Sequence, residues 1–341
     1  MNVAQQPVVV GLDVGGTAIN ATVLDADGKF LVDRLVEVPS RVLDGPSVAV
    51  EALAEAMANV LVITGTPVET VAAVGLDTPG PASADGVISS KGSTNFSSPE
   101  WWGFDFRGAL EDRLGLPVIY NNDGNAAALY AHAQHFGALA PARSSVAAIV
   151  GTGLGGGVIE SGWAVKGAAG MAGELGHVYL PMHGLLEPDQ PMPLCNCGLS
   201  GDAESIASLK GIENNLLPYW LKRYPDHELN EVGSRAKAAR LVRSYGERGD
   251  ELALRIFEQQ AMALGRLFTI AANFTDPAAY FIGGGVVETG LEFRTWFLDT
   301  VRRHTQLRAE QEKAATIALV PDRDMAGARG AAIAARQTVP G

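Results

Sequence analysis

The sequence predicts an α/β protein of two domains whose related halves face one another across a cleft. Three observations carry that expectation. Short β-rich runs alternate with alanine-rich helical stretches along most of the chain, the pattern of layered α/β domains. A strand–diglycine–strand hairpin occurs twice, with Gly15 and Gly155 140 residues apart. The length of 341 residues suits two domains, given a typical domain of about 150.

The elements follow in order. Val8–Val14 is β-rich, Gly15-Gly16 turns, and Ala18–Leu24 returns. Asp25–Gly28 turns again, and Phe30–Val38 alternates like a third strand. Val48–Ile63 has helical periodicity and stops at Gly65. Val71–Leu76 reads as a buried strand, closed by the turn Thr78-Pro79-Gly80-Pro81. A helix over Gly103–Leu114 and a strand over Pro117–Tyr120 complete the first half. A hinge at 121–123 makes residues 1–121 with 325–341 a small α/β domain and 122–324 a large one. The second half opens with a helix, Asn125–Phe136, and a strand, Ser145–Val150. Five glycines then fall within Gly151–Gly157, before a turn at Ser161-Gly162. Helices are expected at Ser205–Leu221, Ala236–Tyr245 and Leu252–Phe274. Strand Ala279–Ile282 leads into Gly283–Gly285, and strand Thr316–Val320 into a small-residue helix, Ala326–Ala335.

Composition narrows the function. With 47% apolar and 19% charged residues the chain can bury substantial cores, unlike a disordered one. Its net charge of −12 opposes nucleic acid and anionic membranes, and favours a small-molecule partner. No basic leader precedes the first strand, and no unbroken apolar stretch reaches ~18 residues, so neither secretion nor membrane spanning is expected. The sequons at Asn95 and Asn273 are therefore chance matches. Two cysteines two residues apart make no disulfide framework and point to the cytoplasm.

The glycine clusters carry the first chemistry. Gly151-x-Gly153-x-x-Gly156 matches a dinucleotide fingerprint, yet a strand follows it where a helix is required. A hairpin turn that bares backbone N–H groups to a polyphosphate fits better, its glycines supplying positive φ and close approach. Asp13 ends the first strand, where a carboxylate can hold hydrated Mg2+ against the phosphates. Thr17 and Thr152 add hydroxyls. The plainer alternative makes Gly15-Gly16 an ordinary turn capped by Asp13.

Asn121-Asn122-Asp123-Gly124-Asn125 lies between a strand and a helix. Phosphoryl transfer needs alignment, charge neutralisation and a carboxylate to accept the attacking hydroxyl's proton. Asp123 suits that role, since an ordinary aspartate, with pKa ~3.9, is ionised at neutral pH. An N-cap is the competing role. His177 with Cys195-x-Cys197 forms a zinc-like donor set. Asp202 is either a fourth ligand or the cap of the helix it precedes.

These motifs resemble a known family. Asp13-x-Gly15-Gly16-Thr17, Gly151-Thr-Gly-Leu-Gly-Gly-Gly157 and the late Gly283–Gly285 resemble the actin-like ATPase (ribonuclease H-like) fold of sugar kinases. Gly167-x-x-Gly170-x-Ala-Gly-Glu174-x-Gly-His177, followed by Cys195-x-Cys197-Gly198-x-x-Gly201-x-x-Glu204, resembles the ROK family of bacterial sugar kinases and repressors. The resemblance covers almost the whole chain. It implies ATP with Mg2+ bound by Asp13, Gly15, Gly16, Thr17, Gly151, Thr152, Gly153, Gly155, Gly156, Gly283 and Gly284. It implies Asp123 as the base and a hexose held by Gly80, Asn95, Asn122, Asp123, Glu174, His177 and Glu204; Trp101 and Trp102 are read as packing. Structural Zn2+ is implied at His177, Cys195, Cys197 and a third cysteine, whose place Asp202 takes. The family's repressors carry a DNA-binding element ahead of the first strand; the first strand begins here by Val8, so a kinase is expected. The expectation is therefore a cytoplasmic kinase of glucose, dimeric or tetrameric. Mannose, fructose, N-acetylglucosamine and N-acetylmannosamine remain as alternative acceptors, and a non-catalytic sugar sensor as the alternative class.

Overall fold

A computed structural model of the chain describes residues 6–80, 82–89, 95–96 and 98–340. The chain packs as two compact units, one of Met1–Ala142, Gly157–Gly173 and Val320–Gly341, the other of Arg143–Gly156 and Glu174–Leu319. Residues 122–142, which the sequence assigns to the second half, thus pack with the first.

The first unit is built on β1 (Val8–Val14), β2 (Ala18–Leu24), β3 (Glu37–Pro39), β4 (Val71–Thr78) and β5 (Val118–Asn122). Their order is β3-β2-β1-β4-β5. β1 and β2 form the expected antiparallel hairpin, whereas β1, β4 and β5 run parallel. β1 is apolar on both faces because both are covered. Val10, Leu12 and Val14 join a core with Leu53, Ala56 and Val60 of the helix Pro46–Thr64. Val9 packs instead with Ala332 and Ala335 of the final helix, Arg323–Arg336.

Helix Pro46–Thr64 is, by length and composition, apolar enough to cross a membrane, where the sequence suggested no such stretch. In this fold its inner face is core: Ala49, Leu53, Ala56 and Val60 are fully buried. The third strand is shorter than expected. Only Glu37–Pro39 pairs continuously, and Phe30 makes a lone bridge to Leu24. The Phe30 ring meets Tyr130 edge-on and carries the Arg329 guanidinium on its face.

The final helix lies unusually close to the sheet, which explains its small residues. A Cβ at Gly75 would stand 1.9 Å from the Ala331 carbonyl oxygen, and one at Gly11 2.0 Å from that of Ala328. The obstacles are backbone, so no rotamer change relieves them. Overpacking a core costs about 1–3 kcal/mol, and an overlap with helix backbone belongs at or above the top of that range. Gly75→Ala is therefore expected to lower stability by roughly 3 kcal/mol or more. An unchanged denaturation midpoint in urea would contradict this packing.

The second sheet contains β6 (Ser145–Val150), β7 (Leu154–Glu160), β8 (Trp163–Ala164), β9 (Ala279–Gly283) and β10 (Thr316–Leu319). Its order is β10-β9-β6-β7-β8, with β6, β9 and β10 parallel. β7 and β8 are antiparallel across Ser161-Gly162, both at positive φ, as a two-residue hairpin turn requires. Helix Glu251–Thr275 supplies core to the second unit through Ile256, Leu264, Leu267 and Phe268, and Asp250 caps it by accepting from the Ala253 N–H.

The expected helix Ser205–Leu221 is interrupted. Ser208 is extended, at φ −119 and ψ 165, and residues Ile212–Leu216 form a π turn. The cause lies in a distant loop: the Gly151 and Thr152 carbonyls accept the N–H groups of Leu209 and Lys210.

Candidate active site and metal centre

In the first unit, polar residues gather at the C-terminal ends of the parallel strands, where ligands bind in α/β sheets. Asn20, Asp13, Asp77 and Asn121 stand opposite one another in register on β2, β1, β4 and β5. Asp77 is fully buried, Asp13 half-buried and Asp123 exposed. Burial pushes the Asp13 carboxyl up. It pushes Asp77 well up, and the negative charges of Asp13 and then Asp123 add to that shift.

Asp123 is the first residue of the helix Asp123–Phe136, directly after β5. Asn122 is the N-cap: its Oδ1 accepts from the Asn125 N–H at 2.8 Å. Asp123 Oδ1 accepts its neighbour's N–H, that of Gly124, at 2.7 Å. The capping role weighed for Asp123 thus belongs to Asn122, and an exposed carboxylate stands at the sheet edge.

The other predicted residues of this unit sit nearby in the fold. The Gly15 N–H donates to the Ala18 carbonyl at 2.8 Å to close the hairpin, and Thr17 is exposed. A Cβ at Gly16 would lie 2.5 Å from Asn95 Oδ1, so glycine there lets the Asn95 side chain reach the hairpin. Gly80 faces open space. Pro81, Ser93 and Thr94 of the expected turns lie outside the described residues. Trp101 is core, its Nε1 donating to the Val42 carbonyl, but Trp102 is half exposed and does not pack as expected.

In the second unit, Gly151–Gly156 follow β6, while Gly283 and Gly284 end its parallel neighbour β9. Both glycine clusters therefore share one sheet edge. Positive φ, expected of the glycine loops, is not their general conformation. Of the predicted phosphate-loop glycines only Gly284 has positive φ, at 84°; Gly15, Gly16, Gly151, Gly153, Gly155 and Gly156 do not. Most of these positions serve close approach: a Cβ would meet Glu204 Oε2 at 2.6 Å from Gly153, and the Ala147 carbonyl at 2.5 Å from Gly156. Thr152 is exposed on the same loop.

Glu204 joins that loop to the cysteines. Its Oε2 accepts from the Leu154 N–H at 2.8 Å, and its Oε1 from the Cys195 thiol at 3.3 Å. Glu174, half-buried, precedes the short turn Leu175–His177.

His177, Cys195, Cys197 and Asp202 converge, with donor atoms all within 4.8 Å of one another. His177 Nδ1 lies 3.1 Å from Asp202 Oδ2 and 3.6 Å from Cys197 Sγ, which is 3.7 Å from Asp202 Oδ2. Tetrahedral zinc, with bonds of ~2.0–2.1 Å to nitrogen or oxygen and ~2.3 Å to sulfur, requires edges of about 3.4 Å between N and O and about 3.6 Å to sulfur. The donor set fits that ion. Asp202 fills both roles weighed for it: Oδ1 accepts from the Ser205 N–H at 3.0 Å while Oδ2 faces the cluster. Burial, then the neighbouring Cys197 and Asp202, push the Cys195 thiol up, so a bound dication is what would hold it as thiolate.

Sequence reasoning passed over Asp77. Its signal was a single carboxylate inside the apolar run Val71–Thr78, but its pairing with Asp13 depends on strand register.

Two parallel-edged sheets, each opening on a glycine hairpin, define the class: this is the actin-like ATPase fold of ROK sugar kinases. The family model "ROK family" matches residues 9–338, and the chain belongs to that family. It is similar to a glucokinase of Thermotoga maritima, 31% identical over 284 residues and 83% of each chain. It is also similar to an N-acetylmannosamine kinase of Escherichia fergusonii, 31% identical over 81% of this chain and 82% of that one. Among solved structures, a ROK hexokinase from Thermus thermophilus superposes with TM-score 0.74 at 32% identity, covering 97% of this chain and 98% of that one. A ROK family glucokinase from Streptomyces griseus, in complex with glucose and AMPPNP, gives TM-score 0.68 at 28% identity over 97% and 99%.

Proposed function

We propose that this protein is a sugar kinase that transfers the γ-phosphoryl group of ATP to a hexose hydroxyl, with glucose as the hexose. The observation that carries this reading is Asp123, an exposed carboxylate at the C-terminal edge of a parallel sheet whose expected capping duty falls to Asn122. In this role Asp123 takes the proton of the attacking hydroxyl as the new bond to phosphorus forms. The family resemblance assigns sugar hydroxyls to Gly80, Asn95 and Asn122 in the first unit, and to Glu174, His177 and Glu204 in the second. The likeness to a glucokinase whose structure holds glucose and AMPPNP supports this assignment. The glycine loops after β1, β6 and β9 offer N–H groups to the phosphates.

The orphaned, buried Asp77 oxygens beside Asp13 fit a divalent cation, and Asp13 would hold Mg2+, which when bound spreads the charge of the transferring phosphoryl group. His177, Cys195, Cys197 and Asp202 would hold structural zinc. With Nδ1 turned to that centre, His177 presents Nε2 to a hydroxyl.

An ADP-release assay across glucose, mannose, fructose, N-acetylglucosamine and N-acetylmannosamine tests the reading. Glucose should give the highest kcat/KM. A preference for N-acetylmannosamine would keep the kinase and change its acceptor. Release no faster than the sugar-free blank with every acceptor would overturn the kinase and favour a sugar sensor.

A further inference from the structure

We propose that Asp77 is a second carboxylate ligand, beside Asp13, for the divalent cation that accompanies ATP. The inference rests on the kinase reading and on Asp13 as a cation ligand, and it adds Asp77 as a direct ligand where that reading assigns the cation to Asp13 alone.

Asp13 and Asp77 are partners in register on the adjacent parallel strands β1 and β4, so their side chains leave the same face of the sheet about 4.8 Å apart. The remainder of that face is built for contact with the final helix: Gly11 and Gly75, two residues before each aspartate, meet the helix backbone. The face changes from close-packed to acidic within one strand period. At the change stands Gly327, where a Cβ would lie 2.6 Å from Asp13 Oδ2 and 2.9 Å from Asp77 Oδ2. The two oxygens thus converge on one spot, and a side chain at 327 would close it.

Asp77 is 0% exposed, and neither of its oxygens is satisfied by a hydrogen bond of good geometry, although the Asp13 carboxyl and the Val14 N–H lie beside it. An ionised carboxylate in that state carries a large desolvation cost unless a cation or a proton meets it. A structural carboxylate normally has a cap, an arginine or a lysine; Asp77 has the Val14 N–H and another carboxylate, with no cationic side chain among the groups that shift it. Mg2+ suits the pair, because it is commonly held by one or two carboxylates, with waters and phosphate oxygens filling the remaining positions. The half-buried Asp13 and exposed Asp123 mark the side from which those waters and phosphates arrive.

The test is Mn2+ binding followed by electron paramagnetic resonance in zinc-replete protein, so that the thiolate centre is already filled. Wild type is compared with Asp77→Asn and Asp13→Asn, and melting temperatures with and without Mg2+ give a second readout. Asp77→Asn should weaken Mn2+ binding by about tenfold or more, on the scale of lost ligand-supporting groups, and shrink the rise in melting temperature that Mg2+ gives wild type. Without Mg2+ it should melt no lower than wild type, since Asn removes a buried charge. Asp77→Asn binding Mn2+ like wild type, while Asp13→Asn loses it, overturns the inference and leaves Asp13 as the lone carboxylate. Wild type without a Mn2+ site, or Asp13→Asn with an intact one, overturns the placement of the cation altogether. If Asp77→Asn fails to fold, Asp77→Ser is read by the same criteria.

Discussion

Asp123→Asn should lower kcat by roughly 10²–10⁴-fold, the usual contribution of a positioned general base, while sugar affinity stays within several-fold. At 1.36 kcal/mol per tenfold, that loss corresponds to about 2.7–5.4 kcal/mol of barrier. The geometry makes the substitution a clean one. Asp123 Oδ1 accepts the Gly124 N–H at 2.7 Å, and the amide oxygen of Asn can accept the same bond. The helix cap is untouched, because it belongs to Asn122. What disappears is the ability to accept a proton from the attacking hydroxyl. Steady-state kinetics with glucose and ATP provide the measurement, alongside sugar binding by tryptophan fluorescence. A variant that keeps more than about a tenth of the wild-type rate would remove Asp123 from the role of base.

The parts of this site that a sequence reveals are those whose partners lie close along the chain. The β1–β2 hairpin was legible because diglycine separates two β-rich runs, and the Ser161-Gly162 turn because two residues link β7 to β8. The zinc-like set was legible from Cys195-x-Cys197 and His177. Its coordination edges were not, since they depend on how Asp202 divides its two oxygens between Ser205 and the cluster. Asp77 was hidden for a related reason: 64 residues separate it from Asp13 in the sequence, and only parallel register brings the two together. The break at Ser208 follows from loop carbonyls at Gly151 and Thr152 capturing N–H groups some 58 residues later. Helical periodicity carries no trace of that competitor. The glycine loops taught the opposite lesson. Their composition pointed to positive φ and to close approach by phosphate; Gly284 alone among them has the first, and at Gly16, Gly153 and Gly156 it is Asn95, Glu204 and Ala147 that leave no room for a side chain.

Removing the Asp202 carboxylate should separate its two duties and decide whether the Cys195–Cys197 cluster is a zinc site. Protein purified without chelator or added metal is expected to carry one zinc per chain by elemental analysis. The expectation rests on edges of 3.1, 3.6 and 3.7 Å among His177 Nδ1, Cys197 Sγ and Asp202 Oδ2, close to those of a tetrahedral ion. A carboxylate bonds zinc at ~2.0–2.2 Å against ~2.3 Å for thiolate, so it must come nearer than the cysteine it replaces in the family pattern. Full burial of Asp202 and its anchoring by the Ser205 N–H hold it there. Asp202→Asn keeps an oxygen for the Ser205 N–H and withdraws the anionic ligand, so the helix start survives while the metal site weakens. Loss of supporting groups around a metal costs 10–100-fold in affinity, and loss of a direct ligand should reach at least that scale. The variant should therefore surrender zinc to a chelator about ten times faster or more. It should also melt earlier than wild type only when the latter is zinc-loaded, because binding energy at a structural zinc is folding energy. Zinc far below one equivalent in a fully active wild type would make the cysteine pair a relic. Equal zinc retention by Asp202→Asn would leave Asp202 as a helix cap alone, with His177, Cys195 and Cys197 holding the metal as a three-residue set.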